Sequence, residues 1–152
     1  MKLLLTIVFA EFLGLSASAQ DANAPVEPAP VVLDVREASD TTLEEFIWLN
    51  RLIVVFADTN RDPAFQKQME LLLERPSELI LRDVVVITDT NPGIPSAIRL
   101  KLRPRGFGFV LIGKDGGVKL RKPAPWDVRE ISRSIDKTPL RQQEIRDVDV
   151  AG

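Results

Sequence analysis

The chain has 152 residues, 20 basic and 22 acidic side chains, a formal net charge of −2, and neither cysteine nor histidine. Without cysteine there is no disulfide and no thiolate, so dithiol exchange and thiol peroxidase chemistry are excluded unless a partner supplies the thiol. Without histidine there is no imidazole for a Ser-His pair or a metal, and the near-balanced charge gives no overall bias toward nucleic acid.

Residues 1–19, "MKLLLTIVFAEFLGLSASA", have the layout of a secretory signal: Lys2, an apolar stretch interrupted by Glu11, then small residues ending in Ala17-Ser18-Ala19. The apolar stretch falls short of the ~20 residues that span a bilayer. The expectation is an exported protein, periplasmic or secreted, with no stable membrane span after signal removal. Residues 20–39 open with an Ala- and Pro-rich run that has neither helical nor strand period, and read as an extended linker. The domain is expected over 40–147, with a short tail at 148–152.

"SDTTLEEFIWLNR" puts Leu43, Phe46, Ile47 and Asn50 at helical spacing, with Asp40 or Thr41 able to cap the start. Leu52 to Ala57 is a continuous apolar run rich in β-branched residues, which reads as a buried strand. Pro63 fits the first turn of a helix with Phe65, Met69, Leu72 and Leu73 along one face, and Pro76 interrupts or ends it. Val84 to Thr88 is a second strand, "NPGIP" a turn, and Pro95 toward Leu102 a short helix. "FGFVLI", "GKDGG" and "VKLRK" read as strand, tight turn and strand of a hairpin. Trp126, Val128, Ile131 and Ile135 line the buried face of a closing helix. The order predicts an α/β, thioredoxin-like fold, with a central mixed four-stranded sheet and helices on both faces.

In that fold the junction "ADTNRDP" is where a strand hands over to a helix that begins with a reactive thiol. Here Thr59, Asn60, Arg61 and Asp62 occupy it, and none of them exchanges disulfides. Asp58, Asn60 and Asp62 match the first three ligands of a calcium loop. That loop needs Gly at its sixth position and Glu at its twelfth, where this chain has Pro63 and Met69, so Asp62 reads as a helix cap. Gly108 to Lys114 has phosphate-loop spacing, but apolar strand residues fill the interval and Asp115 replaces the magnesium-binding hydroxyl.

Charge is distributed unevenly. Arg99 to Arg133 hold ten basic and three acidic residues, and within them Arg99, Lys101, Arg103 and Arg105 alternate with Leu100, Leu102 and Pro104. Such a segment suits phosphate or carboxylate groups, with arginine giving bidentate contacts. Trp48 and Trp126 are assigned to packing. Asn50 and Arg51 are expected to tie the first helix to the sheet.

Trp48-Leu49-Asn50-Arg51, Gly113-Lys114-Asp115-Gly116-Gly117, and Ile135-Asp136 with Pro139 and Arg141 together resemble a known family. From Thr42 to Asp147 the chain is similar to the P-DUDES family, thioredoxin-like domains of unknown function. These occur in exported bacterial proteins and in the equarins and sushi-repeat proteins of animal extracellular matrix. Thr138 departs from the methionine more often found before the proline. The resemblance implies the fold and an exported location, and no reaction.

The expectation is a non-redox binding module of the cell envelope, with no cofactor and no nucleic-acid partner. Its binding residues would be Asp58, Asn60, Asp62, Arg99, Lys101, Arg103 and Arg105. The partner would be an anionic envelope component or a protein. The alternative is a carboxylate-based enzyme, with or without a metal, using Asp58, Asp62 or Asp89 at the sheet edge, where ligands of open α/β sheets bind.

Overall fold

Two apolar, β-branched runs form the middle of the sheet. The computed structural model describes residues 28–152; the signal expected at 1–19 and the first part of the linker lie outside the described residues. The strands are β1 (Val35–Glu37), β2 (Arg51–Phe56), β3 (Val84–Asp89), β4 (Gly108–Ile112) and β5 (Val118–Lys122), in spatial order β1-β3-β2-β4-β5. β1, β3 and β2 run parallel, and β4 and β5 run antiparallel to their neighbours. The helices are α1 (Pro63–Glu74), α2 (Pro76–Ile80), α3 (Ala97–Leu102), α4 (Val128–Asp136) and α5 (Pro139–Ala151).

All six residues of β2 are buried, as a strand flanked on both edges and covered on both faces requires. Alternate side chains feed two separate cores. Ile53 and Val55 with Val84, Val86, Phe109 and Leu111 meet α1, α2 and α4 on one face. Leu52, Val54 and Phe56 with Val85, Ile87, Val110 and Ile112 meet α3 and the segment from Ala38 to Phe46 on the other. This is the mixed α/β architecture the element order called for, with one strand more than the four expected.

That extra strand is β1, supplied by the segment read as linker. Its three residues are all exposed and add no periodic apolar signal, yet they pair in parallel with Val86 to Thr88, and Leu33 just before them is buried. The helix expected at 40–50 is instead two 3-10 turns, Ala38–Asp40 and Glu44–Phe46. Glu45 reaches back to the Thr42 N–H at 2.8 Å and to both threonine hydroxyls, which closes a turn rather than a continuing helix. Phe46 is buried as expected, but Trp48 adopts φ 66° and is 67% exposed. The packing role assigned to Trp48 is therefore wrong, whereas Trp126 does pack, its ring edge-on to Phe109 at 5.9 Å.

α1 starts at Pro63 and stops before Pro76, where α2 begins. Leu73, placed on its inner face by spacing, is 57% exposed; the face that turns inward carries Gln68, fully buried, one turn before Leu72. Its amide both donates to the Trp126 carbonyl and accepts from the Trp126 N–H, each at 2.8 Å, which satisfies a polar group inside the core. α5 was not anticipated as an element. It buries no residue, and what ties it to the sheet is ionic.

Candidate functional site

β3 ends at Asp89, and the turn that follows returns the chain to α3. Ser96 caps α3 by accepting the Arg99 N–H at 2.9 Å, and its hydroxyl donates to Asp89 at 2.6 Å. One turn on, Arg99 points back over the strand ends. Its Nε and Nη2 donate to Asp89 Oδ1 at 3.0 and 2.8 Å, and Nη2 also reaches the carbonyls of Ala57 and Asp89. The two side chains are only 9% and 4% exposed, and the guanidinium lies 5.4 Å from the Phe56 ring centre. Burial pushes the Asp89 carboxyl up, but hydrogen bonds from Arg99 and Ser96 outweigh it and hold the group below its ordinary range.

Two expectations fall here. Arg99 is not a surface cation; it clamps the carboxyl ends of β2 and β3. Asp89 is not free to pair with Asp58 in acid-base chemistry, because its oxygens are already engaged. The alternation of Arg99 with Leu100 and Leu102 said nothing of the buried carboxylate it would meet.

At the junction after β2, Asp58 and Asn60 are exposed. Asp62 caps α1, its carboxylate accepting the N–H groups of Ala64 and Phe65 at 2.8 and 3.4 Å, as Pro63 at the first helical position suggested. No group of three or more acidic residues lies close enough to share a metal ion among the described residues.

The rest of the basic segment separates in space. Lys101 is exposed and pairs with Glu44 at 2.8 Å. Arg103 takes a left-handed conformation, φ 49°, while its N–H closes α3 on the Arg99 carbonyl. Holding a non-glycine residue there costs about 1 kcal/mol or more, and the result is that Arg103 to Arg105 leave the helix axis and run toward β5. Arg103, Pro104, Arg105, Phe107, Arg121 and Lys122 line a groove of about 240 Å³ with no carboxylate in its wall. Arg121 donates to the Leu102 carbonyl at 2.8 Å, and the Lys122 ammonium sits 4.9 Å over the Trp126 ring. None of the four cations is in an ion pair among the described residues. Arg121 and Lys122 were missed in the sequence because strand pairing, not chain neighbourhood, brings them to Arg103 and Arg105; their place in the basic third of the chain was the available signal.

The motif segments quoted above gather at the opposite end of the sheet. Glu144 accepts from Arg51 at 3.2 Å, Arg141 at 3.1 Å and Lys114 at 2.8 Å; Lys114 also meets Asp83, and Arg82 meets Asp136 at 2.7 Å. The Lys114 carbonyl receives the Trp48 N–H at 2.6 Å, and Asn50 donates to the Asp83 carbonyl. Burial pushes Glu144 up, but hydrogen bonds from Lys114 and Arg141 and the charge of Arg51 bring its carboxyl down to about 2. The first helix that Asn50 and Arg51 were expected to tie to the sheet does not form; Asn50 instead holds the turn before β3, Arg51 within β2 reaches the Arg82 carbonyl and Glu144 of α5, and every charge in this cluster has a partner.

A family model described as a domain of unknown function (DUF4174) matches residues 42–144. Coiled-coil domain-containing protein 80 of Danio rerio is 28% identical over 142 residues, covering 74% of this chain; the chain spans only 16% of that protein. Among solved structures, chloroplastic thioredoxin z superposes with a TM-score of 0.52 at 26% identity, over 71% of this chain and 99% of that one. A reduced 2-Cys peroxiredoxin of Plasmodium vivax gives 0.49 at 16% identity, over 63% and 81%. The fold is thioredoxin-like, and the cysteine on which thioredoxin chemistry depends is absent from the chain.

Proposed function

Since the chain belongs to the DUF4174 family, a domain of unknown function, and holds no cysteine, we propose that it is a binding module that recognises an anionic partner. The recognition surface is the groove between Arg103–Arg105 and Arg121–Lys122. One observation carries this reading: Arg103, Arg105 and Arg121 gather along a concave surface with no carboxylate in its wall, and Lys122 stands at its rim with its ammonium over Trp126. Like charges brought together repel, so a fold that keeps them side by side gains when an anion enters. The expected working surface is thereby moved. Arg99 leaves it as a structural clamp, Lys101 stands apart with Glu44, and Arg121 and Lys122 join Arg103 and Arg105. The sequence pattern of residues 1–19 supports an exported module whose partner belongs to the envelope or to the medium outside the cell. The carboxylate enzyme loses its second acid with Asp89 and is not carried further.

The test uses the chain with Arg103, Arg105, Arg121 and Lys122 changed to Ala, three of them exposed and the fourth half-buried, so the fold is retained. Inorganic polyphosphate is titrated into both proteins across a salt series, and both are used to recover partners from envelope extract. The parent binds, more weakly as salt rises, and the variant loses about tenfold or more in affinity. Equal binding by the two overturns the reading.

A further inference from the structure

The basic groove ends on β5, and β5 is the last strand of the sheet: it pairs with β4 along one side and has no strand on the other. No backbone hydrogen bond outside that ladder reaches Val118 to Lys122 among the described residues. An edge strand of this kind presents alternate N–H and C=O groups outward as a template for another chain. Its ladder with β4 is irregular between Leu111 and Ile112, which leaves Leu120 to Lys122 as the regular part opposite Phe109 to Leu111. The two cations at its end point to opposite faces. Arg121 reaches across to Leu102 on the α3 side, beside Arg103 and Arg105, and Lys122 lies over Trp126 on the α4 side.

We propose that β5 accepts a short acidic peptide segment as an added strand, so that the partner of the basic groove is a protein carrying consecutive Asp or Glu residues in extended form. The inference rests on the groove reading and names its partner. An added strand alternates its side chains across the two faces, so adjacent acidic residues meet Arg121 on one side and Lys122 on the other, at the ~5 Å spacing of cross-strand neighbours. Main-chain pairing supplies affinity and the flanking cations supply selection. The same charges guard the edge. A short, irregular, lysine- and arginine-bearing strand refuses a second copy of itself, which would set like charges opposite one another, and admits only a strand of opposite sign.

The experiment uses the full chain and two synthetic peptides of identical charge, each built of Glu pairs separated by Thr. One has a normal backbone, and the other has N-methyl groups on alternate amides, which remove donors from one edge while leaving the carboxylates. Affinities are measured by calorimetry alongside inorganic polyphosphate, and amide exchange is followed at Lys119 to Lys122. The normal peptide binds about tenfold or more tighter than the N-methylated one, because each lost backbone hydrogen bond weakens binding severalfold, and it slows exchange in β5. Equal affinity for normal and methylated peptides overturns the added strand and leaves the basic groove standing. Binding of polyphosphate without the peptide does the same. Failure of all three probes overturns both readings, and sedimentation of the free chain as a β5-paired dimer overturns the strand inference by showing the edge already filled.

Discussion

Glu144→Gln is the most informative single change, because one carboxylate joins α5 to the sheet and to the turn between β4 and β5. Its side chain is 23% exposed, and it accepts from Arg51, Lys114 and Arg141. Lowering that carboxyl from the ordinary 4.5 to about 2 corresponds to about 3 kcal/mol at about 1.4 kcal/mol per pH unit. The folded value is depressed, so the stabilisation is fully present above pH 4.5 and is lost as pH falls from there toward 2. Because α5 buries no residue, the loss is expected first as opening of α5 rather than collapse of the sheet. Native-state hydrogen exchange is the assay. At neutral pH, protection of the amides in Pro139–Ala151 should fall by about a hundredfold in Glu144→Gln, the factor that about 3 kcal/mol represents. Amides of β2 and β3 should change less. Lowering the pH to about 2 should bring the parent down to the variant. Unchanged α5 protection at neutral pH, or a difference that persists at low pH, would refute the claim that this carboxylate's charge holds the helix.

Three further outcomes follow from the geometry. Arg99→Ala should lower unfolding free energy by about 3–5 kcal/mol, because it strands Asp89 in the interior; in the double variant with Asp89→Ala the loss should be less than the sum of the two single ones, measured by urea denaturation. Asp62→Ala should cost about 1 kcal/mol through loss of the α1 cap, read as a lower denaturation midpoint with an unchanged slope. Trp48→Gly should move stability by no more than about 1 kcal/mol, since glycine relieves the left-handed backbone while adding chain entropy; a core tryptophan would cost about 3–5 kcal/mol. Consistently, acrylamide should quench the fluorescence of Trp48 in a Trp126→Phe chain far more than that of Trp126 in a Trp48→Phe chain.

Composition and period alone settled a good deal. The absence of cysteine ruled out thiol chemistry before any fold was known, because no arrangement of other side chains supplies a thiolate. The runs at Leu52–Ala57 and Val84–Thr88 announced central strands because the middle of a strand covered on both faces is filled by apolar residues, and Asp62-Pro63 announced the start of α1 through cap chemistry confined to neighbouring residues. What tertiary structure alone decided lies where the determining partner is distant in the chain. β1 is a strand because Val86 to Thr88 offer it hydrogen bonds, not because its own three exposed residues favour one. Trp48 faces solvent because its N–H is held by Lys114 in a conformation that no helical spacing foretells. Arg99 looks like its neighbours Lys101 and Arg103 in the sequence, yet Asp89 draws it inside. Arg103 and Arg105 acquire Arg121 and Lys122 only when the hairpin folds β5 alongside them. Local propensity is written in adjacent residues, whereas the sign and exposure of a charge are set by whichever residues the fold brings against it.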